Sequence, residues 1–414
     1  MKAPGKILFL VENDSVPRDR RVWLEALTLA QAGYGVSVIC PQEHMRKRHE
    51  RFEGISIYRY PLPALSGIGG HLLEYAIALT MTFILTWVVL FREGFDIIHA
   101  ANPPDFFYLI ARVFRWRGKK FIFDHHDLVP EACTARWSGL SLRLTYAIAK
   151  WTERATFRTA DVVISPNESY RRVAIERGHV DPKKTWVVRN AIRKGDFREG
   201  RARPELRRGR RYLVCFVGAI GPTDGVDLLL LAIRHIVVNR GRSDVGFAII
   251  GDGDVRPDSV AQSARLQLTG FVDFTGHVSD DRTIADYLAT ADVCVEPAPR
   301  NSFNDLSTMT KVVEYMAMGR PVVAFDLHEV RDTVQAAGVY VPSNDPKEFG
   351  EQILRLLDSP EERRRMGDEG VLRFNDVLAW DHQRESLLSA YEYLRGPSRG
   401  SSGAAQPGGS ADRP

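Results

Sequence analysis

Residues 212–227 read YLVCFVGAIGPTDGVD, in which six consecutive apolar residues run directly into a glycine-rich loop. A short apolar run that ends in such turn residues is typical of a buried strand in a parallel sheet. The chain opens in the same way, with KILFLV at residues 6–11. Similar runs, separated by helical patterns, lie near residues 36–39, 55–58, 96–99, 120–124, 161–165, 186–188, 247–250, 272–275, 293–295, 322–324 and 339–340. This alternation predicts an α/β protein made of two tandem Rossmann-like domains.

The domain boundary follows from composition. Residues 193–211 are polar, strongly basic and interrupted by glycine and proline, which is typical of an exposed linker. The predicted units are a first domain at 1–198, a second domain at 199–377, a helix at 378–395 that crosses back to the first domain, and a disordered tail at 396–414 that is rich in Gly, Ser, Pro and Ala.

Composition excludes several classes of protein. Of the 414 residues, 44% are hydrophobic and 26% are charged, unlike collagen, coiled coils or polytopic membrane proteins. The formal net charge of +4 is too small to indicate a nucleic-acid partner. The first apolar run meets charged residues after six positions, so no signal peptide is predicted. Four widely spaced cysteines favour reduced cytoplasmic thiols over disulfides or zinc: Cys40, Cys133, Cys215 and Cys294.

One segment departs from the α/β pattern. Residues 75–91 contain no charge, and as a helix they would extend about 25 Å against a hydrocarbon core of about 30 Å. The segment is therefore short for a membrane span, and two alternatives remain: a buried core helix or a helix in the membrane interface. The nearby basic residues Arg46, Lys47, Arg48 and Arg51 could contact anionic head groups, or could form a solvated loop.

The loops after strands are where twin α/β domains bind ligands. Glycines at 218 and 221 would let a phosphate approach the backbone closely, or would serve packing alone. Residues 250–254 form a strand end and turn that could border the crevice, and the structural interpretation is favoured. In residues 301–323, Ser307 is expected to cap a helix that begins at about Thr308 and is stopped by Gly319, so its free N–H groups would face an anion. Lys311 and Glu314 share one face of that helix, as a phosphate cation and a sugar-hydroxyl acceptor, or as a simple surface ion pair.

These residues carry a family resemblance. The run Glu314-Tyr315-Met316-Ala317, followed by Gly319-x-Pro321-Val322-Val323, resembles the donor half of the retaining GT-B glycosyltransferases of family 4. Further stretches fall where that family places its motifs, at residues 33–38, 96–100, 123–127, 160–165, 188–190, 276–278 and 291–293. The resemblance covers about residues 5–395, and the pattern is similar to a branch from bacterial surface-polysaccharide clusters that includes an N-acetyl-fucosamine transferase subgroup.

The resemblance implies transfer of a sugar from a nucleotide sugar to an acceptor hydroxyl with retention of configuration, without a metal or other cofactor. His126 stands at the family's active-site histidine, with Asp127 able to orient it and His125 equally near in sequence. The implied donor-binding residues are Gly218, Gly221, Gly276, Val278, Asn304, Asp305, Ser307, Thr308, Lys311 and Glu314.

Three positions depart from the family pattern. Leu306 stands where the family has the first of two glutamates, and Ala219 and Asp224 replace an arginine and a lysine of the diphosphate loop. Lys311 is the expected substitute cation, and Asn304, Asp305 and Thr308 would replace contacts of the missing glutamate.

The acceptor implied is a polyprenyl-linked or other glycan, which would place the protein on the cytoplasmic face of the plasma membrane. Two alternatives share the twin-domain fold: a nucleotide-sugar 2-epimerase, and a catalytically weakened membrane-bound partner of another transferase. An NAD-dependent dehydrogenase is disfavoured, because no GxGxxG follows Val11.

Overall fold

A computed structural model describes residues 4–43, 46–63, 67–136, 139–197 and 199–396. It contains two mostly parallel sheets of eight and six strands with helices on both faces, which confirms the predicted α/β class and its two Rossmann-like domains. The tail predicted to be disordered lies outside the described residues except for Gly396.

The first sheet has the order β3-β4-β2-β1-β5-β6-β7-β8. All its neighbours are parallel except β3 and β4, and β1 lies between β2 and β5, with Ile7 opposite both Val36 and Ile97. The strands are β1 Lys6–Leu10, β2 Gly35–Pro41, β3 His49–Phe52, β4 Ile55–Tyr60, β5 Ile97–Ala101, β6 Lys120–Asp124, β7 Val162–Ser165 and β8 Thr185–Val187.

Helices cover both faces of this sheet. They are α1 Arg20–Gln31, α2 Gly67–Arg92, α3 Tyr108–Arg115, α4 Val129–Arg136, α5 Gly139–Thr159 and α6 Glu168–Glu176. One core lies under α1 and the C-terminal helix α14, Trp380–Arg395. The other core lies under α2, α3 and α5, so these three helices form a single outer layer, the α2–α3–α5 face.

The second sheet is wholly parallel, in the order β11-β10-β9-β12-β13-β14. Its strands are β9 Tyr212–Val217, β10 Val245–Ile250, β11 Val272–Gly276, β12 Val293–Glu296, β13 Val322–Phe325 and β14 Gly338–Val341. Its helices are α7 Val226–Arg234, α8 Arg256–Arg265, α9 Asp281–Thr290, α10 Thr310–Ala317, α11 His328–Val334, α12 Pro346–Leu357 and α13 Pro360–Arg373.

The C-terminal helix packs on the first domain. Trp380 Nε1 donates to Thr28 Oγ1 at 2.8 Å, and Ser386 Oγ donates to the Val187 carbonyl. The basic segment between the sheets is held by acidic residues of the second domain: Arg203 pairs with Asp286 at 3.0 Å, and Arg207 with Asp292. These ion pairs attach the connector to the second domain, so its basic residues do not only face solvent as an exposed linker would.

Two features near the N-terminus differ from the sequence interpretation. The basic run at 46–51 enters β3, an edge strand that pairs antiparallel with β4. In this strand Arg51 is exposed, whereas Glu50 pairs with the buried Arg59 at 2.7 Å. In α2, the stretch Leu73–Arg92 is long and apolar enough to cross a membrane, yet only 22% of it is buried. The buried residues Ala78, Thr82, Thr86 and Val89 form the inward face of α2. The helix is therefore only partly buried, with one face on the core.

Candidate functional site

The carboxyl ends of the two sheets face each other across a closed cleft. Asn167, the cap of α6, donates through Nδ2 to the Leu306 carbonyl and to Thr308 Oγ1, both at 2.8 Å. Arg20 at the start of α1 reaches across to Glu314 on α10, with 3.4 Å between Nη1 and Oε1. Side chains from both domains therefore meet in the cleft.

His126 lies at the end of β6 on the first-domain side. Its Nε2 is 2.5 Å from Asp124 Oδ2 and 2.9 Å from Arg21 Nε, and its backbone N–H donates to Asn102 Oδ1 at 2.6 Å. The carboxylate that contacts the ring is thus Asp124, not the Asp127 expected from the sequence. Asp124 is the last residue of β6, and its carboxylate reaches the ring of the residue two positions later.

A buried charge network supports Asp124. Arg21 Nη2 is 2.8 Å from Asp124 and 3.3 Å from Glu25, while His99 Nε2 is 3.3 Å from Asp124. Burial alone would raise the pKa of Asp124, but Arg21 and His126 outweigh burial and hold it well below its usual range. The ligand atoms of Glu25, His99 and Asp124 are close enough to share a cation. The Arg21 guanidinium already contacts both carboxylates, which argues that this side chain supplies their compensation.

His125 and His126 are distinguished by their surroundings. The His125 ring packs among Phe123, Phe157 and Tyr170, with centroids 5.2–5.3 Å apart. Burial lowers its pKa to about 3, so it is a neutral core residue. The His126 side chain is 16% exposed and is the one that reaches the cleft.

Glycines of the second domain allow the loop after β9 and the loop after β10 to pack closely together. Gly218 has φ +152°, and a Cβ there would lie 2.8 Å from Cε of Lys311. A Cβ on Gly251 would lie 1.9 Å from the Gly218 carbonyl, so residues 250–254 pack directly on the first loop, in keeping with their structural interpretation. Gly221 donates its N–H to Asp224 Oδ2 at 3.0 Å. The first loop therefore makes room for a lysine side chain and is braced by its own aspartate.

Lys311 lies between two carboxylates. Its Nζ is 3.0 Å from Glu296 and 3.5 Å from Asp224, and it stands 4.7 Å above the Phe216 ring. Burial would lower the pKa of Lys311, but Glu296 and Asp224 outweigh burial and raise it. The lysine is therefore charged and already compensated, and a diphosphate would have to share it with these carboxylates.

The helix that carries Lys311 begins later than the sequence predicts. Residues Asn304–Leu306 form a 3-10 turn, and Ser307 Oγ donates to the Phe303 carbonyl at 2.8 Å instead of capping α10. Met309 is the N-cap, without a side-chain bond, while Gly319 at φ +64° ends the helix as predicted. Tyr315 Oη accepts the Val217 N–H at 2.9 Å, which fixes α10 against the end of β9.

Glu314 is buried where the domains meet. Its side chain is 12% exposed, and Arg20, its partner, also pairs with Asp281 on α9. Burial raises the pKa of Glu314 to about 7 although Arg20 opposes the change. Near neutral pH its carboxylate is therefore present in both the ionised and the protonated form.

The remaining predicted donor residues mostly hold loops. Asn304 Nδ2 donates to the carbonyls of Thr223 and Pro299, Asp305 accepts the His328 N–H, and Thr308 is engaged by Asn167. Gly276 ends β11 with φ +73°, and half-buried Val278 packs on the core.

Sequence reasoning missed several residues of this cleft. Asp124 was visible as a charge at the end of a buried strand, but Arg20, Arg21, Asn102 and Asn167 belong to no local motif. Their partners lie 24 to 294 residues away in the chain. Only the fold brings these pairs together.

Known proteins match both halves of the chain. Residues 20–194 match the family model described as Glycosyltransferase Family 4, and residues 211–359 match the one described as Glycosyl transferases group 1. An alpha-D-kanosaminyltransferase of Streptomyces kanamyceticus is 30% identical over 55% of this chain and 59% of its own length. A D-inositol 3-phosphate glycosyltransferase of Thermomonospora curvata is 29% identical over 56% and 57%. The chain thus spans little more than half the length of these relatives.

Solved structures share the fold over nearly the whole chain. Sucrose-phosphate synthase of Thermosynechococcus elongatus superposes with a TM-score of 0.76 at 18% identity, covering 95% of this chain and 100% of that one. Anabaena HepE in complex with UDP-glucose gives 0.68 at 16% identity, covering 94% and 100%. The two family matches therefore show glycosyltransferase domains of the family 4 and group 1 types, one in each half of the chain, and the shared architecture shows the GT-B fold.

Proposed function

We propose that this enzyme transfers a sugar from a nucleotide sugar to an acceptor hydroxyl with retention of anomeric configuration. One observation carries the proposal: two adjacent arginines of α1 contact the expected nucleotide-binding glutamate of the second domain and the expected active-site histidine of the first. Arg20 contacts Glu314 on the donor side, and Arg21 contacts His126 on the other. The closed cleft therefore brings the expected nucleotide-binding glutamate and the expected active-site histidine together around one helical turn.

The chemistry follows from this arrangement. The bond between the sugar C1 and the diphosphate oxygen breaks, the acceptor oxygen bonds to C1 on the same face, and the hydroxyl proton passes to the leaving diphosphate. Lys311 and the free N–H groups at the start of α10 would stabilise the charge that develops on the diphosphate. Asp124 and Arg21 hold the His126 ring in position beside the sugar.

For the donor, a uridine diphosphate sugar is the first candidate, because structures that share this fold are described in complex with UDP, UDP-glucose or UDP-2-fluoro glucose. A lipid-linked glycan acceptor in bacterial surface-polysaccharide synthesis is the proposed setting. In its support, a glycosyltransferase described as involved in lipopolysaccharide biosynthesis shares the fold with a TM-score of 0.68.

Peripheral attachment to the inner face of the plasma membrane is part of this proposal, with a surface different from the one expected. Within the uncharged segment 75–91, Phe91 is 77% exposed, whereas Phe83, Leu85 and Trp87 pack on the core. The α2–α3–α5 face carries nine of the sixteen exposed large apolar side chains among the described residues: Leu73, Ile84, Phe91, Leu109, Val113, Trp116, Leu144, Ile148 and Trp151.

This face has the charge that an anionic membrane requires. A groove of about 470 Å³ between α3 and α5 is lined by Arg112, Arg115 and Arg158 beside Trp116 and Trp151. Trp116 is 96% exposed and Trp151 66%. Arginines next to exposed tryptophans suit the phosphate level of a bilayer, so the proposed occupant is the head group of an anionic lipid.

A donor panel tests the transfer. UDP-, GDP-, ADP- and TDP-sugars are incubated with lipid-linked and soluble glycan acceptors, and the anomeric configuration of the product is read by NMR. Transfer with retention supports the proposal, and inversion contradicts it. An epimerised donor without acceptor would establish the epimerase alternative, and no turnover of any donor would favour the weakened-partner alternative.

Flotation with phosphatidylglycerol vesicles tests the membrane surface. Replacing Trp116 and Trp151 with serine should abolish flotation, whereas the same change at exposed Leu231 in the second domain should not. A wild-type protein that never floats would refute the attachment.

A further inference from the structure

A second cavity opens on the first-domain side of the cleft. It has a volume of about 500 Å³ and lies where β1, β2 and β4 end and α2 begins. The described residues that line it include four carboxylates, Glu12, Asp14, Glu43 and Glu74, and one cation, Arg18. Its formal charge is therefore strongly negative, in contrast to the basic groove on the outer face.

Glu12 sets this cavity apart from an ordinary acidic surface. It directly follows β1 and is 7% exposed, yet it makes no hydrogen bond or ion pair within the described part of the chain. Asp14, by comparison, is 3.3 Å from Arg18, and Glu43 is 4.0 Å from Arg46. Burial, together with the negative charge of Glu74, raises the pKa of Glu12 to about 7. A buried carboxylate without a partner is costly, so a cation entering the cavity would relieve that cost.

The cavity adjoins the proposed site of transfer. Arg18 lines it, and Arg20, two residues later, contacts Glu314. A ring bound in the cavity would therefore lie beside the donor side of the cleft, on the domain that the family resemblance assigns to the acceptor.

We infer that this cavity binds the protonated amino group of the acceptor, so that the enzyme prefers a polyhydroxylated ring carrying a free amine. The inference rests on the proposed function and names its acceptor class. An ammonium group can donate charge-assisted hydrogen bonds to Glu12, whereas an N-acetyl group carries no charge to compensate it. A phosphorylated ring would bring a further negative charge into this acidic cavity and be repelled. The diphosphate of a lipid-linked acceptor would then lie outside the cavity, towards α2.

Calorimetry with matched glycosides tests the inference. The full-length protein, saturated with UDP, is titrated with methyl glucosaminide, its N-acetyl form, methyl glucoside and methyl glucoside 6-phosphate. The amine is expected to bind about 10- to 100-fold more tightly than the acetylated and neutral rings, and the phosphate more weakly still. Equal affinities, or a preference for the phosphate, would overturn the inference.

Two variants locate the effect. Glu12→Gln should remove most of the preference for the amine while leaving the affinity for methyl glucoside unchanged, and Glu43→Gln, at a carboxylate already beside Arg46, should change the preference less than two-fold. A preference that survives Glu12→Gln would overturn the assignment. Thermal unfolding confirms that each variant is folded. UDP binding is measured separately, so that loss of UDP binding reports against the proposed function and loss of amine preference alone reports against this inference.

Discussion

Lys311 and Glu12 are both buried charges beside the cleft, one in each domain, and their surroundings are opposite. Lys311 has two carboxylate partners within 3.5 Å and a ring beneath it. Glu12 has no partner among the described residues, and Glu74, whose charge raises the pKa of Glu12, is of like sign. The lysine therefore contributes to the folded structure before any ligand arrives, whereas the glutamate costs stability until a ligand compensates it.

The difference shows that burial of a charge does not by itself identify a binding residue. A compensated charge can bind a ligand only by exchanging partners, and its loss damages the fold. An uncompensated charge can be neutralised without such damage. The following changes test this contrast.

The largest effect is expected for Lys311→Met. The free energy of unfolding should fall by about 3–5 kcal/mol, because Glu296, which is fully buried, would lose its cation. Urea unfolding measures the loss, and UDP titration measures binding. The double variant with Glu296→Gln should recover much of the stability without recovering UDP affinity. A single variant as stable as the wild type would show that the ion pair is not structural.

Glu314→Ala should weaken UDP binding by about 1.5–3 kcal/mol, since a charged acceptor for the ribose hydroxyls is removed. Asp281→Asn is the matched control, because it breaks the other contact of Arg20 and leaves Glu314 in place. Unchanged affinity in the alanine variant would contradict the assignment of Glu314.

The pH dependence of stability isolates Glu12. Its pKa is about 7 in the folded protein against an ordinary 4.5, so its contribution to stability is present below about pH 4.5 and is lost as the pH rises through 7. Glu12→Gln cannot ionise, and it should be more stable than the wild type by roughly 1–3 kcal/mol above pH 7 and nearly equal at pH 4.5. Denaturant unfolding across this range compares the two. If the free energies of unfolding of the two proteins changed in parallel with pH, Glu12 would be paired with another group in solution.

The smallest effects concern the outer basic groove. Arg112→Gln and Arg158→Gln should each weaken binding to phosphatidylglycerol vesicles by about 1 kcal/mol at low salt, with the difference shrinking in high salt. Exposed Lys347 on the second domain provides the control for a general charge effect. A loss of the same size for Lys347→Gln would argue against a localised surface.

Much of the fold could be predicted because its signals are local. Every predicted apolar run became a strand. The strand β3 was missed because its side chains, His-Glu-Arg-Phe, show no buried face on the edge of the sheet. Ser307 was misjudged because a 3-10 turn engages its hydroxyl before α10 begins.

The candidate site was only partly predictable. The loop glycines, Lys311, Glu314 and His126 stand in recognisable motifs, but their partners do not. Asp124 replaces Asp127 beside His126, and Glu296 and Asp224 neutralise Lys311. Which charged side chain becomes the partner depends on the direction in which each one points at the end of its strand.

The sequence by itself determined the two α/β domains, their strands and the loops that form the cleft, because hydrophobic periodicity acts between residues close in the chain. Only the tertiary structure decided which charges are compensated. Arg21 reaches His126 over 105 positions and Arg20 reaches Glu314 over 294, while Glu12 is left without a partner within the described ranges. Ion pairing depends on distance in space and on exclusion of water, and neither is encoded in any local stretch of sequence.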